Sequence, residues 1–316
     1  MVELPKRIAV TGAAGYVATR LIKALTRSAN IDNFMAIDLH KPESAGIADI
    51  DYRRQDVGEP FSKLFVGCDI ETVVHLAYDM NPGHDRRAVR KINVGGTENL
   101  LEACAAGDVK HILYLSTTSI YGAHADNPEA LTEESSPRPL SGFQYSEGKA
   151  ESEALLERYA IDHPECAVTI LRACPVLGPN ADNFVAAAFS KPFLVGVIGA
   201  DPQMQFLHED DLIDHMLVCL RERPRGAYNL AGRGTVRWSE MAAIFGRRMV
   251  KMPAPILYGL ASLGWKLRLQ SDSPAAGIDF IRYRWVVDTK KIETELEMMP
   301  KYTSRQAWEA FATRKA

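Results

Sequence analysis

The chain has 316 residues, 47% of them hydrophobic, which suffices to bury a large core in one α/β unit or two closely packed lobes and excludes a disordered chain. A net charge of -3 and a pI near 6.3 supply neither the basic field that nucleic acid requires nor a strongly polyanionic surface. The five cysteines, Cys68, Cys104, Cys166, Cys174 and Cys219, are odd in number and lack any CxxC or zinc spacing, so they read as buried reduced thiols.

Arg7-Ile8-Ala9-Val10 opens the chain as a short apolar strand. It leaves no room for a signal peptide, and no apolar run reaches the length of a membrane span, so a cytoplasmic location is expected. Thr11-Gly12-Ala13-Ala14-Gly15-Tyr16-Val17-Ala18 follows, after which Val17, Leu21, Ile22 and Leu25 recur at helical spacing as far as Ser28. Between a strand and a helix such a loop has a physical task. Gly12 permits the tight turn, Gly15 lets the backbone approach a pyrophosphate, and Ala18 keeps the helix close to the sheet with its N-terminus toward the phosphates. Phe34 to Asp38 is the second strand. Asp38 ends it 20 residues after Ala18, where a carboxylate accepts hydrogen bonds from both adenosine ribose hydroxyls and repels a 2′-phosphate, so NAD is favoured over NADP. Asp56-Val57, after another short extended stretch, is placed to bracket the adenine, a position that a surface-loop acid fills nearly as well.

Asp69 to Ala77 and His111 to Ser116 are continuous apolar strands of the kind buried on both faces, and a helix from Asn93 to Ala106 separates them. Short apolar strands alternating with helices predict an α/β fold built on a Rossmann-like doubly wound parallel sheet. Further on, Tyr145-Ser146-Glu147-Gly148-Lys149 sets a phenol and an ammonium four residues apart, one above the other on a helix face. A phenol with its reference pKa of about 10 is a poor base, but a nearby cation favours its charged form and suits it to proton transfer at an alcohol or ketone.

The second half is less regular, with Pro, Gly and aromatic residues concentrated between Pro175 and Pro202 and again from Pro253 to Arg284, as in a smaller, mixed substrate-binding lobe. Ala254 to Leu267 is an apolar helix candidate containing Ile256, Leu257, Leu260, Leu263 and Trp265, with Arg247, Arg248, Lys251, Lys266 and Arg268 around it. It is too short to span a bilayer. A substrate-covering or core helix is the leading reading, and contact with a membrane surface the lesser one. His75, in an apolar strand, reads as a satisfied core histidine. His208 with Glu209, Asp210 and Asp211 resembles a metal cluster only superficially, because adjacent acids at a helix start are favoured by its dipole. No metal is expected.

These residues together carry a family resemblance. The chain resembles an extended short-chain dehydrogenase/reductase, the group that includes NAD-dependent nucleotide-sugar epimerases and dehydratases, hydroxysteroid dehydrogenases and dihydroflavonol reductases. The resemblance runs almost end to end, through the glycine loop, Val74-His75-Leu76-Ala77, Asn93-Val94-Gly95-Gly96-Thr97, Leu115-Ser116-Thr117-Thr118-Ser119-Ile120-Tyr121-Gly122, Tyr145 with Lys149, Leu171-Arg172 through Gly178-Pro179, and Phe206-Leu207-His208-Glu209-Asp210-Asp211. It implies Tyr145 as the acid/base and Lys149 as its pKa modulator and nicotinamide-ribose ligand. Thr117, five residues before Gly122, is implied as the hydroxyl that holds the reacting oxygen; strand alternation turns its competitors Ser116 and Thr118 away. NAD is implied to lie along Gly12, Ala14, Gly15, Tyr16 and Val17, with Asp38, Leu39, Asp56 and Val57 at its adenosine end. Leu76, Ala77, Tyr78, Tyr145, Lys149 and Pro175 complete that set. Asn93 matches a family position that helps brace the active-site helix through backbone contacts, and it also reads as a helix cap.

The resemblance divides the chain into an NAD-binding Rossmann domain at 1–174, to which about 203–231 returns, and a substrate-binding lobe of 175–202 and 232–316. Departures from the family narrow the chemistry. Pro175 stands where nucleotide-sugar epimerases place an asparagine on the diphosphate, and it has no side-chain donor. Thr118-Ser119 replace the Asp-Glu that follows the active-site threonine in 4,6-dehydratases, and the upstream phosphate-binding arginine has no counterpart at its usual offset, although Arg282 and Arg284 are nearby. The expectation is an NAD-dependent oxidoreductase acting on a small-molecule secondary alcohol or ketone, paired as a homodimer through helices of the cofactor domain. A nucleotide-sugar 4-epimerase using the same three residues is the alternative; a non-catalytic NAD sensor would be expected to have lost Tyr145 or Lys149.

Overall fold

The structure, a computed structural model, describes residues 3–28, 31–42, 50–80, 84–181, 193–269 and 275–315. The N-terminal half alternates strand and helix: β1 (Arg7–Thr11), α1 (Tyr16–Ser28), β2 (Asn33–Asp38), β3 (Ile50–Arg54), β4 (Thr72–His75), α2 (Arg86–Arg90), α3 (Gly96–Ala106), β5 (His111–Thr117), α4 (Gln144–Asp162) and β6 (Ala167–Ala173). The rest contains β7 (Val176–Leu177), β8 (Phe193–Val197), β9 (Gln203–Met204), β10 (Leu207–His208), α5 (Glu209–Glu222), β11 (Gly226–Leu230), β12 (Val236–Arg237), α6 (Trp238–Ile244), β13 (Arg248–Met252), α7 (Ala254–Lys266), α8 (Lys290–Glu295) and α9 (Ser304–Lys315).

Among the described residues, seven strands form one sheet in the order β3-β2-β1-β4-β5-β6-β11, every neighbouring pair parallel. The order reverses direction between β1 and β4, the doubly wound arrangement in which ligands bind outside the carboxyl ends of the strands at the switch point. Alternation along each strand supplies both faces of the sheet. Ile8 and Val10 pack with Leu21, Ile22 and Leu25 of α1 and with Leu212 and Met216 of α5 on one side. Ala9 faces the other way, with Met35, Ile37, Val73, Ile112 and the α3 and α4 residues Leu100, Cys104 and Leu156. All five cysteines are unpaired thiols and four of them are buried.

A third core gathers Ile120, Tyr121 and Cys174 with Phe206, Trp238, Met241, Trp285, Trp308 and Phe311 of the second half. Three two-stranded ribbons serve that part of the chain: β7 with β10, β9 with β12, and β8 with β13. β11 returns to the main sheet beside β6, as the resemblance implied. The strand before Asp210 is different, because β10 pairs with β7 outside the seven-stranded sheet while Leu207 still packs in the sheet's core.

The helix expected to open at Asn93 in fact starts seven residues earlier. Asp85 caps it by accepting from Arg87 N at 3.0 Å and Ala88 N at 3.1 Å, and the helical path continues from α2 to α3 through one π turn at Lys91–Gly95. Asn93 therefore lies inside a helix and caps nothing. The sequence signal for this start was the Asp85 side chain ahead of Arg86, which serves as an N-cap although no apolar periodicity follows it.

Candidate active site

Because the strands are parallel, their carboxyl ends share one edge, and β1, β2, β4 and β5 deliver Thr11, Asp38, His75 and Thr117 to it. At the turn after β1, Gly12 adopts φ +68°, and a Cβ there would sit 2.7 Å from Ala77 N. Only glycine meets both demands. Gly15 N donates to Gly12 O at 2.9 Å, tightening the turn, and Ala14 N donates to Asp38 Oδ2 at 3.0 Å while His40 N donates to Asp38 Oδ1 at 2.9 Å. A carboxylate offers about four acceptor positions, so Asp38 keeps acceptor capacity for ligand hydroxyls. Leu39 beside it is exposed and Val17 joins the core partly buried.

Thr11 ties the two strands at the switch point. Its hydroxyl meets His75 Nδ1 at 2.7 Å and accepts from Leu76 N at 3.3 Å and Ala77 N at 3.2 Å. His75 is fully enclosed; burial depresses its pKa to about 3, with a contribution from Lys149, and its Nε2 contacts Thr97 Oγ1 at 3.3 Å. It is the satisfied core histidine that its apolar strand suggested. Asp56 uses Oδ1 to accept from Gly58 N at 2.9 Å in its own turn, and Val57 is buried against Gly96. Pro175 presents only its carbonyl, which accepts from Leu207 N at 3.1 Å. Tyr16 directs its phenol to the buried Glu209, and burial together with that carboxylate holds the phenol far above its ordinary pKa.

Thr117 ends β5, and Tyr145 and Lys149 lie in the first two turns of α4. Thr117 Oγ1 donates to Ser119 Oγ at 3.1 Å and accepts from Ser119 N at 3.2 Å, and the same hydroxyl acts to lower the pKa of the Tyr145 phenol. Ser116 and Thr118 are engaged elsewhere, Ser116 Oγ donating to Glu153 and Thr118 Oγ1 lying 3.6 Å from Cys174 Sγ. The Tyr145 ring meets Tyr78 and Phe143 edge-on, at centroid distances of 5.5 and 6.3 Å, and Phe143 in turn meets Phe280. Gly148 makes this fit possible. A Cβ on it would lie 2.6 Å from the Tyr78 hydroxyl, which donates to Tyr145 O at 2.9 Å.

Lys149 occupies the same helix face as Tyr145, but its Nζ donates to Leu115 O at 2.6 Å and sits 4.0 and 4.5 Å from the Tyr78 and Tyr114 ring centroids. Burial lowers its pKa to about 7, with Glu153 acting in the opposite direction. Burial pushes the Tyr145 phenol up to about 12, and the hydrogen bond with Thr117 is what opposes that rise. The phenol brought toward neutrality by the lysine, expected from the four-residue spacing, is thus not what this arrangement shows. Desolvation is the largest influence on both groups.

Beneath them lies a polar network that the sequence reading did not connect. Glu153, one turn beyond Lys149, receives Arg172 Nε at 2.9 Å and Nη2 at 2.7 Å; Arg172 Nη1 donates to Tyr121 OH at 2.9 Å, which donates to Asn229 Oδ1 at 2.8 Å. The Glu153 and Arg172 side chains are 2% and 3% exposed, so the pair is shielded from solvent and joins α4 to β6. The i, i+4 spacing from Lys149 to Glu153 was the available signal. Asn93 adds a second brace. Its side chain bonds Asp79 N and O at 2.7 and 2.9 Å, and its backbone carbonyl accepts from Ser152 Oγ of α4 at 3.4 Å. π turns gather at functional sites, and this one aims Asn93 at the loop after β4.

The His208 segment is structural. His208 Nδ1 accepts from Asp210 N at 3.2 Å and its ring stacks on Tyr302; Glu209 accepts from Asn180 and pairs with Arg20, and Asp211 accepts from Lys301 N and Tyr302 N. Among the described residues, no group of three or more His, Cys, Asp or Glu side chains is arranged to hold a metal ion, and no helix is long and apolar enough to cross a membrane.

With this geometry in hand, comparison with known proteins is informative. The profile of the NAD dependent epimerase/dehydratase family matches residues 8–231. An uncharacterized protein of Mycobacterium tuberculosis is 26% identical over 317 residues, covering 98% of this chain and 84% of its own length. An L-arabinose 1-dehydrogenase (NAD(P)(+)) of Haloferax volcanii is 34% identical over 168 residues, 50% of this chain and 62% of that protein. Among solved structures, a UDP-glucuronic acid 4-epimerase from Bacillus cereus in complex with NAD superposes with a TM-score of 0.73 over 98% of both chains at 21% identity.

Proposed function

The chain belongs to the NAD-dependent epimerase/dehydratase family, and from that premise we propose that it is an NAD-dependent oxidoreductase acting at a secondary alcohol or its ketone. The observation that carries the reading is the Thr117 hydroxyl at the carboxyl end of β5 acting on the buried Tyr145 phenol at the start of α4, with Lys149 one turn further along. The residues present fit the cofactor. The Gly12 turn closes against Ala77 where a side chain would not pass, and Asp38 ends β2 with acceptor positions to spare. Ala14, Gly15, Tyr16 and Val17 with Asp38, Leu39, Asp56 and Val57 would hold its adenosine and phosphates, and Leu76, Ala77, Tyr78, Pro175 and Lys149 its nicotinamide end. NAD, when bound, supplies a hydride acceptor or, reduced, a hydride donor.

The protein's own part is proton transfer and positioning. Thr117 holds the reacting oxygen by a hydrogen bond. With its pKa near 12, Tyr145 carries its proton throughout the neutral range and gives it to a ketone oxygen as that oxygen gains negative charge. In the oxidative direction the same oxygen takes the alcohol proton only after losing its own, a form that its burial disfavours. Lys149 serves as the nicotinamide-ribose ligand. The proposed division of labour follows the chain: 1–174 with about 203–231 binds the cofactor, and 175–202 with 232–316 the substrate.

A 4-epimerase uses the same three residues, and the fold likeness to a UDP-glucuronic acid 4-epimerase favours it. The substrate side speaks for an alcohol of lower charge. Pro175 has no donor for a diphosphate, and Arg282 is engaged over the Tyr258 and Tyr283 rings at 5.7 and 4.8 Å. The test is to follow NADH absorbance with a panel of secondary alcohols and, in parallel, sugar-nucleotide stereochemistry by NMR. Net NADH formation supports the oxidoreductase; inversion at a sugar C4 with retained NAD and no net NADH would replace it with the epimerase.

A further inference from the structure

Exposed apolar side chains are ordinary when scattered and informative when aligned. On α7, Ile256, Leu260 and Leu263, together with Leu267 just beyond it, are 54%, 56%, 55% and 58% exposed. Their spacing of four, three and four residues draws a single stripe along the helix. The opposite face is already occupied: Leu257, Ala254, Tyr258 and Ala261 pack with Val197 of β8, Met252 of β13 and Ile278. The stripe is extended past the helix end by Leu269, 78% exposed, and before its start by Val250 and Ile198, 42% and 59% exposed. Ile198 N donates to Met252 O, the residue ahead of the Pro253 cap.

Charge is one-sided over the same stretch. From Arg247 through Leu269 the sequence has five basic residues and no acidic one, although the whole chain has 37 basic and 40 acidic residues. Lys251 precedes the helix, Lys266 lies in its last turn and Arg268 just past it, all exposed, as is Arg248 on β13. Asp279 accepts from the Tyr258 hydroxyl on the occupied face of α7.

We propose that this face docks on an anionic membrane surface, with the leucine stripe at the boundary of headgroups and acyl chains and the flanking cations on lipid phosphates. The helix has 13 residues, too few to span a bilayer, and the basic residues stand beside it, Lys251 before its start and Lys266 and Arg268 at and past its end. A second copy of the chain is a poorer occupant. In a twofold interface the patch faces itself, which would set these cations against those of the other copy. The inner side of α7 places Trp265 against His84 at 4.4 Å and Tyr258 beside Arg282, so docking would turn the substrate lobe toward the lipid.

The test is cosedimentation of the full-length protein with vesicles of phosphatidylcholine alone or with about one-third phosphatidylglycerol, at low and physiological salt. Binding is expected only to the anionic vesicles and should fall as salt rises. Lys251→Gln with Lys266→Gln should weaken it by about fivefold for each charge removed. Leu260→Ser with Leu263→Ser should abolish it, with melting temperature unchanged because these side chains are exposed. Failure of the unaltered protein to bind anionic vesicles overturns the proposal, as does binding indifferent to both pairs. Dimerisation in the absence of vesicles that Leu260→Ser with Leu263→Ser abolishes would assign the face to a second copy instead.

Discussion

The helices α4 and α7 depart from the usual partition of a folded chain in opposite directions. α4 buries Ser146, Lys149, Ser152 and Glu153, whereas α7 buries one residue, Leu257, and leaves a row of leucine and isoleucine outside. Burying polar groups is costly unless each finds a partner, and the elements around α4 supply them: Leu115 O for Lys149, Asn93 O for Ser152, Arg172 and Ser116 for Glu153. Exposing apolar groups has a cost of the opposite kind, relieved only by something outside the chain. The comparison teaches that α4 is completed by its own fold and α7 is not.

The largest expected effect falls on the α4 side. Tyr145→Phe keeps the ring between Tyr78 and Phe143 but removes the proton carrier, so kcat should fall by about 10² to 10⁴, the usual contribution of general acid/base catalysis, while NAD affinity measured by calorimetry is retained. Near-full turnover in that variant would show that the buried phenol is only packing. Next is stability. Arg172→Met strands Glu153 inside the protein and should cost about 3–5 kcal/mol in urea unfolding, whereas Arg172→Met combined with Glu153→Leu should recover much of it. A loss of about 1 kcal/mol or less, the worth of an exposed pair, would mean that solvent reaches the network.

Asp38 gives a smaller effect at the far end of the same edge. NAD should bind more tightly than NADP, and Asp38→Ala should lower NAD affinity roughly tenfold, as for hydrogen bonds to a charged group, while narrowing the difference. Equal binding of the two cofactors by the unaltered protein would refute this. The smallest expected effect is a titration. Lys149 should titrate near pH 7 when followed by NMR of the methylated amine, and Glu153→Gln should lower the midpoint because Glu153 raises it. Folding moves this lysine down from 10.5 to about 7, so the unfolded chain binds more protons between those values. The Lys149 contribution to stability should therefore rise with pH across that window. An unchanged midpoint in Glu153→Gln would place the carboxylate out of electrostatic reach.

What could be read from the sequence follows from the range over which each feature is determined. Gly12, Gly15, Asp38 and the Tyr145 and Lys149 pair belong to local patterns a few residues long, tied to a strand end or a helix turn, and the parallel sheet follows from apolar runs between them. Arg172 and Glu153 lie on different elements and meet only because β6 runs beside β5 under α4. No periodicity announces such a meeting. The π turn at Lys91–Gly95 was equally hidden, since it depends on Asn93 finding Asp79 across the loop after β4. α7 shows the converse limit: its apolar pattern predicts a helix correctly, yet the pattern does not say whether a stripe faces a core or the outside. The direction in which Tyr145 titrates was missed because spacing along a helix says nothing about desolvation.

Gly148 has a consequence on the scale of inheritance. Tyr78 cannot simply step aside for a methyl group there, because its hydroxyl is bonded to Tyr145 O, its ring edge meets Tyr145 and its face carries the Lys149 ammonium. Even alanine, the mildest replacement a single codon change can make, would disturb the residue that packs against both catalytic candidates at once. The position between Tyr145 and Lys149 that looks most like filler is therefore one where descent has little freedom to drift.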